Sequence, residues 1–179
     1  LEEITPEENF KYKKETCRLI EILLKKFDKL NKIYKNFSGF YKDDYFINYF
    51  SEYIKKKRIT VSNQKAIEVF QKVDLVLFDM LSTGFAECLS MQMNCVIFSN
   101  KFDYNLSSDF GKKINDELQQ NSILFYNVND GVEIINRIIK DKKNYFFIDK
   151  YLVNKIQDSI CYPISRKNFL LQMNKLLTN

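Results

Sequence analysis

The sequence predicts an α/β fold: a doubly wound, mainly parallel sheet of about five strands, followed by C-terminal helices. Two apolar runs, Leu75-Val76-Leu77-Phe78 and Cys95-Val96-Ile97-Phe98, have no polar interruption, the pattern of parallel strands covered on both faces. A helix-length segment separates them, and Ser122-Ile123-Leu124-Phe125-Tyr126 repeats the pattern further on. The 179 residues, 45% hydrophobic and 28% charged, fit one globular domain over 1–179 and exclude disordered, collagenous and disulfide-scaffold classes.

Taken in order, residues 13–32 place Leu19, Ile20, Leu23, Leu24, Phe27 and Leu30 on one helical face with lysines opposite, predicting a long amphipathic helix. Residues 33–37 read as a short strand ending in Ser38-Gly39. Residues 45–54 carry Tyr45, Phe46, Tyr49, Phe50 and Tyr53 at helical intervals, so these aromatics fill a core rather than stack on bases. A strand over 58–62 and a helix over 64–72 lead to the two central strands. Helices over about 108–119 and 130–140 flank the strand over 122–126. From 143 to 179 only helical spacing remains, with Ile156, Ile160, Phe169, Leu170, Met173 and Leu176 as its stripe.

Composition narrows the chemistry. Histidine is absent, which removes imidazole bases, Ser-His-Asp and Cys-His nucleophiles and His-based zinc sites. The four glycines, Gly39, Gly84, Gly111 and Gly131, cannot compose G-x-G-x-x-G or a P-loop. Cys17, Cys88, Cys95 and Cys161 form no C-x-x-C pair and read as buried thiols in a reducing compartment. The net charge of +5 comes from lysine far more than from Arg18, Arg58, Arg137 and Arg166, which argues against specific nucleic-acid recognition. No apolar run approaches the roughly 18 residues of a membrane span, and the acidic N-terminus is unlike a signal peptide. The sequence does not begin with methionine, so a piece of a longer protein is expected.

The candidate site is the turn from Asp79 to Glu87. In a doubly wound sheet, ligands sit beyond the carboxyl ends of the strands, where helix N-termini present unpaired N–H groups. Ser82 and Thr83 offer hydroxyls, Gly84 allows close backbone approach to an oxyanion, and Glu87, one turn in, suits a vicinal diol. A Ser/Thr capping box would need the glutamate three residues after the cap, where Phe85 and Ala86 stand. A response-regulator receiver would share the Asp79 strand, but its acidic pair should follow a strand of its own. Asp43-Asp44 follows none, and Ser99 and Lys101 are crowded two residues apart.

An apolar strand ending in Asp79, the Ser82-Thr83 pair opening a helix with Glu87, and the Asn94-Cys95-Val96-Ile97-Phe98 strand together resemble the C-terminal half of GT-B-type glycosyltransferases and CDP-glycerol glycerophosphotransferases. The chain is more similar still to uncharacterised transferases of bacterial surface-polysaccharide loci, from about Thr5 onward. There the 33–37 strand ends near an arginine, Ser122 to Tyr126 matches another strand, and Tyr145-Phe146-Phe147 stands for a tryptophan pair. The resemblance implies a Rossmann-like nucleotide-donor domain, the C-terminal part of a two-domain transferase. Ser82, Thr83 and Gly84 would hold the diphosphate, Glu87 the ribose or sugar hydroxyls, and Lys35, in the arginine's place, would contact an anion. It further implies a nucleotide-activated sugar or polyol as donor, an N-terminal acceptor domain, no bound metal or other cofactor, and no catalysis by these residues alone. A cytoplasmic location follows, peripheral at the inner face of the membrane. The competing class is a non-catalytic lysine-rich module for anionic membrane or nucleic acid, resting on Lys55-Lys56-Lys57-Arg58 and the lysines of the first helix.

Overall fold

A computed structural model describes residues 5–35, 45–80, 82–91, 93–99 and 109–140. The first helix, α1 (Pro6–Lys26), begins seven residues before the predicted start and ends six before the predicted end. Its start is set by a capping box: the Thr5 hydroxyl accepts from the Glu8 N–H, and the Glu8 carboxylate accepts from the Thr5 N–H at 2.9 Å, with Pro6 opening the first turn. At the other end the Arg58 guanidinium donates to Leu24 O at 2.7 Å, and Lys32 Nζ donates to the carbonyls of Phe27 and Leu30. These cations satisfy carbonyls that the last turn leaves open and complement its dipole.

The strand β1 (Ile33–Lys35) pairs in parallel with β2 (Thr60–Ser62), Tyr34 opposite Val61 and Lys35 opposite Ser62. Between them α2 (Tyr45–Tyr49) and α3 (Ser51–Lys55) form the aromatic helix in two pieces broken at Phe50. After α4 (Ala66–Phe70) comes a repeated strand–helix succession: β3 (Val76–Phe78), α5 (Thr83–Ser90), β4 (Cys95–Phe98), α6 (Asp109–Gln120), β5 (Leu124–Phe125) and α7 (Val128–Lys140). The strands β3, β4 and β5 form a parallel three-stranded sheet in that order, with Phe78 opposite Ile97 and Phe98 opposite Phe125. The α/β class and the parallel pairing are therefore present. The five strands among the described residues are divided between two small sheets rather than joined in one. No ladder joins β1 to β3, and α4 packs against β1 instead.

Alternation along β4 shows how the larger sheet is covered. Cys95 and Ile97 face a cluster with Phe85, Cys88 and Leu89 of α5 and Leu118 of α6, while Val96 and Phe98 face Leu19 of α1 and Ile134, Ile135 and Ile138 of α7. Ile97 is fully buried, whereas Val76 is only half-buried because β3 is an edge of its sheet. Helix α1 also packs by Cys17 and Leu24 against Phe50 and Ile59 of the smaller sheet's cluster, so it joins both. The expected segment over 143–179 and the Tyr145-Phe146-Phe147 stretch lie outside the described residues.

Candidate functional site

The hydrogen-bonded ladder between β3 and β4 stops at Phe78 opposite Ile97, and the chain leaving β3 passes through Asp79 to Ser82, the N-cap of α5. Ser82 is extended (φ −134°, ψ 170°), and its carbonyl accepts from the N–H groups of both Phe85 and Ala86, at 3.0 and 3.3 Å. The N–H groups of Thr83 and Gly84 take no partner among the described residues. The Ser82 hydroxyl makes no capping hydrogen bond. This differs from the other two long helices whose starts are described. Thr5 caps α1, and Asn127 Oδ1 accepts from the Asp130 N–H at 2.9 Å to cap α7. Of the three, α5 alone presents its first-turn donors without a side-chain cap.

The turn is anchored from below by aromatic packing. Phe78 meets Phe85 edge to face with centroids 5.7 Å apart, and Phe70 also meets Phe78 edge to face with centroids 6.0 Å apart. Phe85, Cys88 and Leu89 are fully buried, so α5 is held by packing despite the weak helix formers Thr83 and Gly84 at its start. A Cβ placed on Gly84 would lie 3.5 Å from Phe78 Cε1, 3.6 Å from Ser82 Oγ and 4.0 Å from Phe70 Cζ, all ordinary contacts. Packing therefore does not demand glycine there.

Of the predicted site residues, Ser82 and Gly84 stand at the helix start, partly exposed. The Thr83 backbone is the first helical residue; its side chain lies outside the described set. Glu87 is exposed on the solvent side of α5. Lys35 is half-buried at the carboxyl end of β1, in the other sheet, so no ladder carries it to the Ser82 turn.

The structure adds two features to the turn: the surroundings of the Asp79 carboxyl and the approach of Tyr12. Asp79 is exposed as a residue, yet protein crowds its carboxyl, and this desolvation raises its pKa above the usual carboxylate value, the opposing bond to its own backbone being weaker. Tyr12, on the second turn of α1, stacks on Phe98 with centroids 5.8 Å apart, and its hydroxyl reaches the carbonyls of both Phe98, at 2.7 Å, and Asp79. The signal was available: Tyr12 precedes Thr16 and Leu19 by four and seven residues, one helical face, but the predicted helix began one residue too late to include it.

Elsewhere the chemistry is structural. Burial, with a smaller contribution from the Glu21 carboxylate, pushes the Cys17 thiol up to about 12. The Cys95 thiol is raised by a hydrogen bond with Cys88 and then by burial, so neither Cys17 nor Cys95 is an activated nucleophile. Cys17 and the Cys88/Cys95 pair sit in different clusters. Among the described residues no group of three or more acidic or cysteine side chains is arranged to hold a metal, and no helix is long and apolar enough to cross a membrane. Within the Lys55-to-Arg58 run, Lys55 pairs with Glu52 at 2.9 Å and Arg58 caps α1 while lying over the Tyr53 ring. A groove of about 370 Å³ beside β5, lined by Gln119, Tyr126, Asp130, Glu133 and Arg137, contains none of the predicted site residues.

Residues 4–144 match a protein family described as LIC12162 family transferase, a span that includes every element from α1 to α7. No curated protein and no solved structure matches the chain.

Proposed function

The chain belongs to the LIC12162 family of transferases, and on that premise we propose that it carries the donor site of a transferase acting on a nucleoside-diphosphate-activated sugar or polyol. The observation that carries the proposal is the uncapped start of α5 at the carboxyl end of β3, where the Thr83 and Gly84 N–H groups, without partners among the described residues, and the Ser82 hydroxyl lie together at a helix end favoured for negative charge. The diphosphate sits there, and Glu87 accepts hydrogen bonds from hydroxyls of the ribose or the transferred group. Lys35 adds a cation when the bound donor extends toward β1. In this reading the reaction needs a second, acceptor-bearing domain, and the acceptor belongs to bacterial surface-polymer synthesis at the cytoplasmic face of the membrane. The GT-B resemblance supports those finer features.

Calorimetric titration of the full-length protein with uridine and cytidine diphosphate, set beside thermal melts, tests the site. Glu87→Ala is expected to weaken binding about 10- to 100-fold, the loss of about 1.5–3 kcal/mol for hydrogen bonds to a charged group, with the melting temperature unchanged. A Glu87→Ala variant that melts lower yet binds as wild type does would make Glu87 structural.

A further inference from the structure

The β3–β4 ladder ends at Phe78 opposite Ile97, and the next residues along the two strands are Asp79 and Phe98. The carbonyls at that point belong to Asp79 and Phe98, and the Tyr12 hydroxyl of α1 lies within hydrogen-bond reach of both. We propose that Tyr12 is a positioning residue for the donor site: its single O–H, shared between the Asp79 and Phe98 carbonyls, sets the separation of the two strand ends and thereby the place of the Ser82 turn.

The proposal rests on the reading of that turn as the donor site, and three features of the geometry support it. The bond crosses 67 residues of sequence to Asp79 and 86 to Phe98, so it ties a distant helix to the root of the turn rather than reinforcing a local one. The Tyr12 ring is held independently, stacked on Phe98, so the hydroxyl is aimed before any ligand arrives. Asp79 is also only three residues before Ser82, too few to absorb a shift at the strand end without moving the helix start.

Tyr12→Phe keeps the ring and deletes the hydroxyl. Hydrogen exchange of the full-length protein is expected to quicken about tenfold at the Phe85 and Ala86 amides, which are bonded to Ser82 O, while α7 keeps its wild-type rates, as fits the loss of a single hydrogen bond at the turn. Uridine diphosphate affinity is expected to fall about 3- to 10-fold with little change in melting temperature. Unchanged exchange at Phe85 and Ala86 overturns the proposal, and so does a uniform quickening that includes α7, which would mark a merely structural tyrosine. A Tyr12→Phe protein that fails to fold overturns it as well, because a hydroxyl that only positions a turn is dispensable for folding. If the wild type binds no uridine diphosphate, the donor-site reading fails, and the exchange comparison still decides the role of Tyr12.

Discussion

Two glycines on the first turns of two helices meet opposite surroundings. A Cβ on Gly131 would lie 2.3 Å from Phe125 Cε2 and 2.8 Å from Cδ2, so α7 approaches β5 as closely as it does only because the side chain is missing. Gly131→Ala should lower stability by about 1–3 kcal/mol in urea unfolding, since the buried Phe125 ring has to move. At Gly84 there is room, and Gly84→Ala should leave stability level or raise it by up to about 1 kcal/mol. If the glycine serves an oxyanion, the same variant should bind uridine diphosphate more weakly, and wild-type affinity would remove Gly84 from the site. Asp79 yields a pH-dependent prediction. Its carboxyl binds a proton more tightly in the folded protein than in the unfolded chain, where it titrates near 3.8. The stability this contributes is complete below that pH and is lost as pH rises through the raised folded value. Melts of Asp79→Asn against wild type should therefore favour the variant increasingly from about pH 3 to about pH 7. A difference that does not vary with pH would show that the Asp79 carboxyl titrates as it does in the unfolded chain.

At the level of elements, strands proved more readable than helix ends. The β4 boundaries agree with the predicted Cys95 to Phe98 because four consecutive apolar residues have only one environment that buries them all. Ser122 was assigned to a strand, yet it has φ 57° and ends α6 in a Schellman motif: its N–H donates to Gln119 O at 2.9 Å and that of Ile123 to Leu118 O at 2.8 Å. Lys57, with φ 56°, does the same after α3. Neither stop was legible because the usual glycine is absent, and propensity alone cannot locate a left-handed residue. Lys57→Gly and Ser122→Gly should each stabilise the protein by roughly 1 kcal/mol, seen as a rise in the urea midpoint. By contrast, the start of α1 was legible in Thr5-Pro6-Glu7-Glu8 and went unread, although Thr5→Ala there should cost about 0.5–2 kcal/mol. The change from strand to helix around Ser82 was legible from the apolar run and the Ser82-Thr83-Gly84 stretch that follows it. Tyr12 and the raised Asp79 carboxyl depend on contacts from distant sequence, which no local pattern carries.

Across the whole molecule, α1 is the shared wall of two clusters. Leu19 is buried against the larger sheet and Leu24 against the smaller sheet's aromatic cluster. Leu19→Ala and Leu24→Ala should each lower stability by about 2–5 kcal/mol and do so in one common transition. The chain has no tryptophan, and Tyr34, Tyr45 and Tyr53 of its eleven tyrosines pack in the smaller sheet's cluster, so tyrosine fluorescence includes a signal from that cluster. Its transition should coincide with that seen by circular dichroism. Two separated transitions would mean that the sheets fold independently. That division into two sheets could not be foreseen, because hydrophobic runs show which strands are buried and not which edges meet. The position of α1 also bears on how the protein is made. Its apolar face leaves the ribosome before the other described elements, and the α7 residues that cover it are the last of those elements to be synthesised. At ordinary translation rates this leaves the helix waiting on the order of ten seconds without its partner. During that interval the nascent chain is a natural client for chaperones that bind exposed apolar helices.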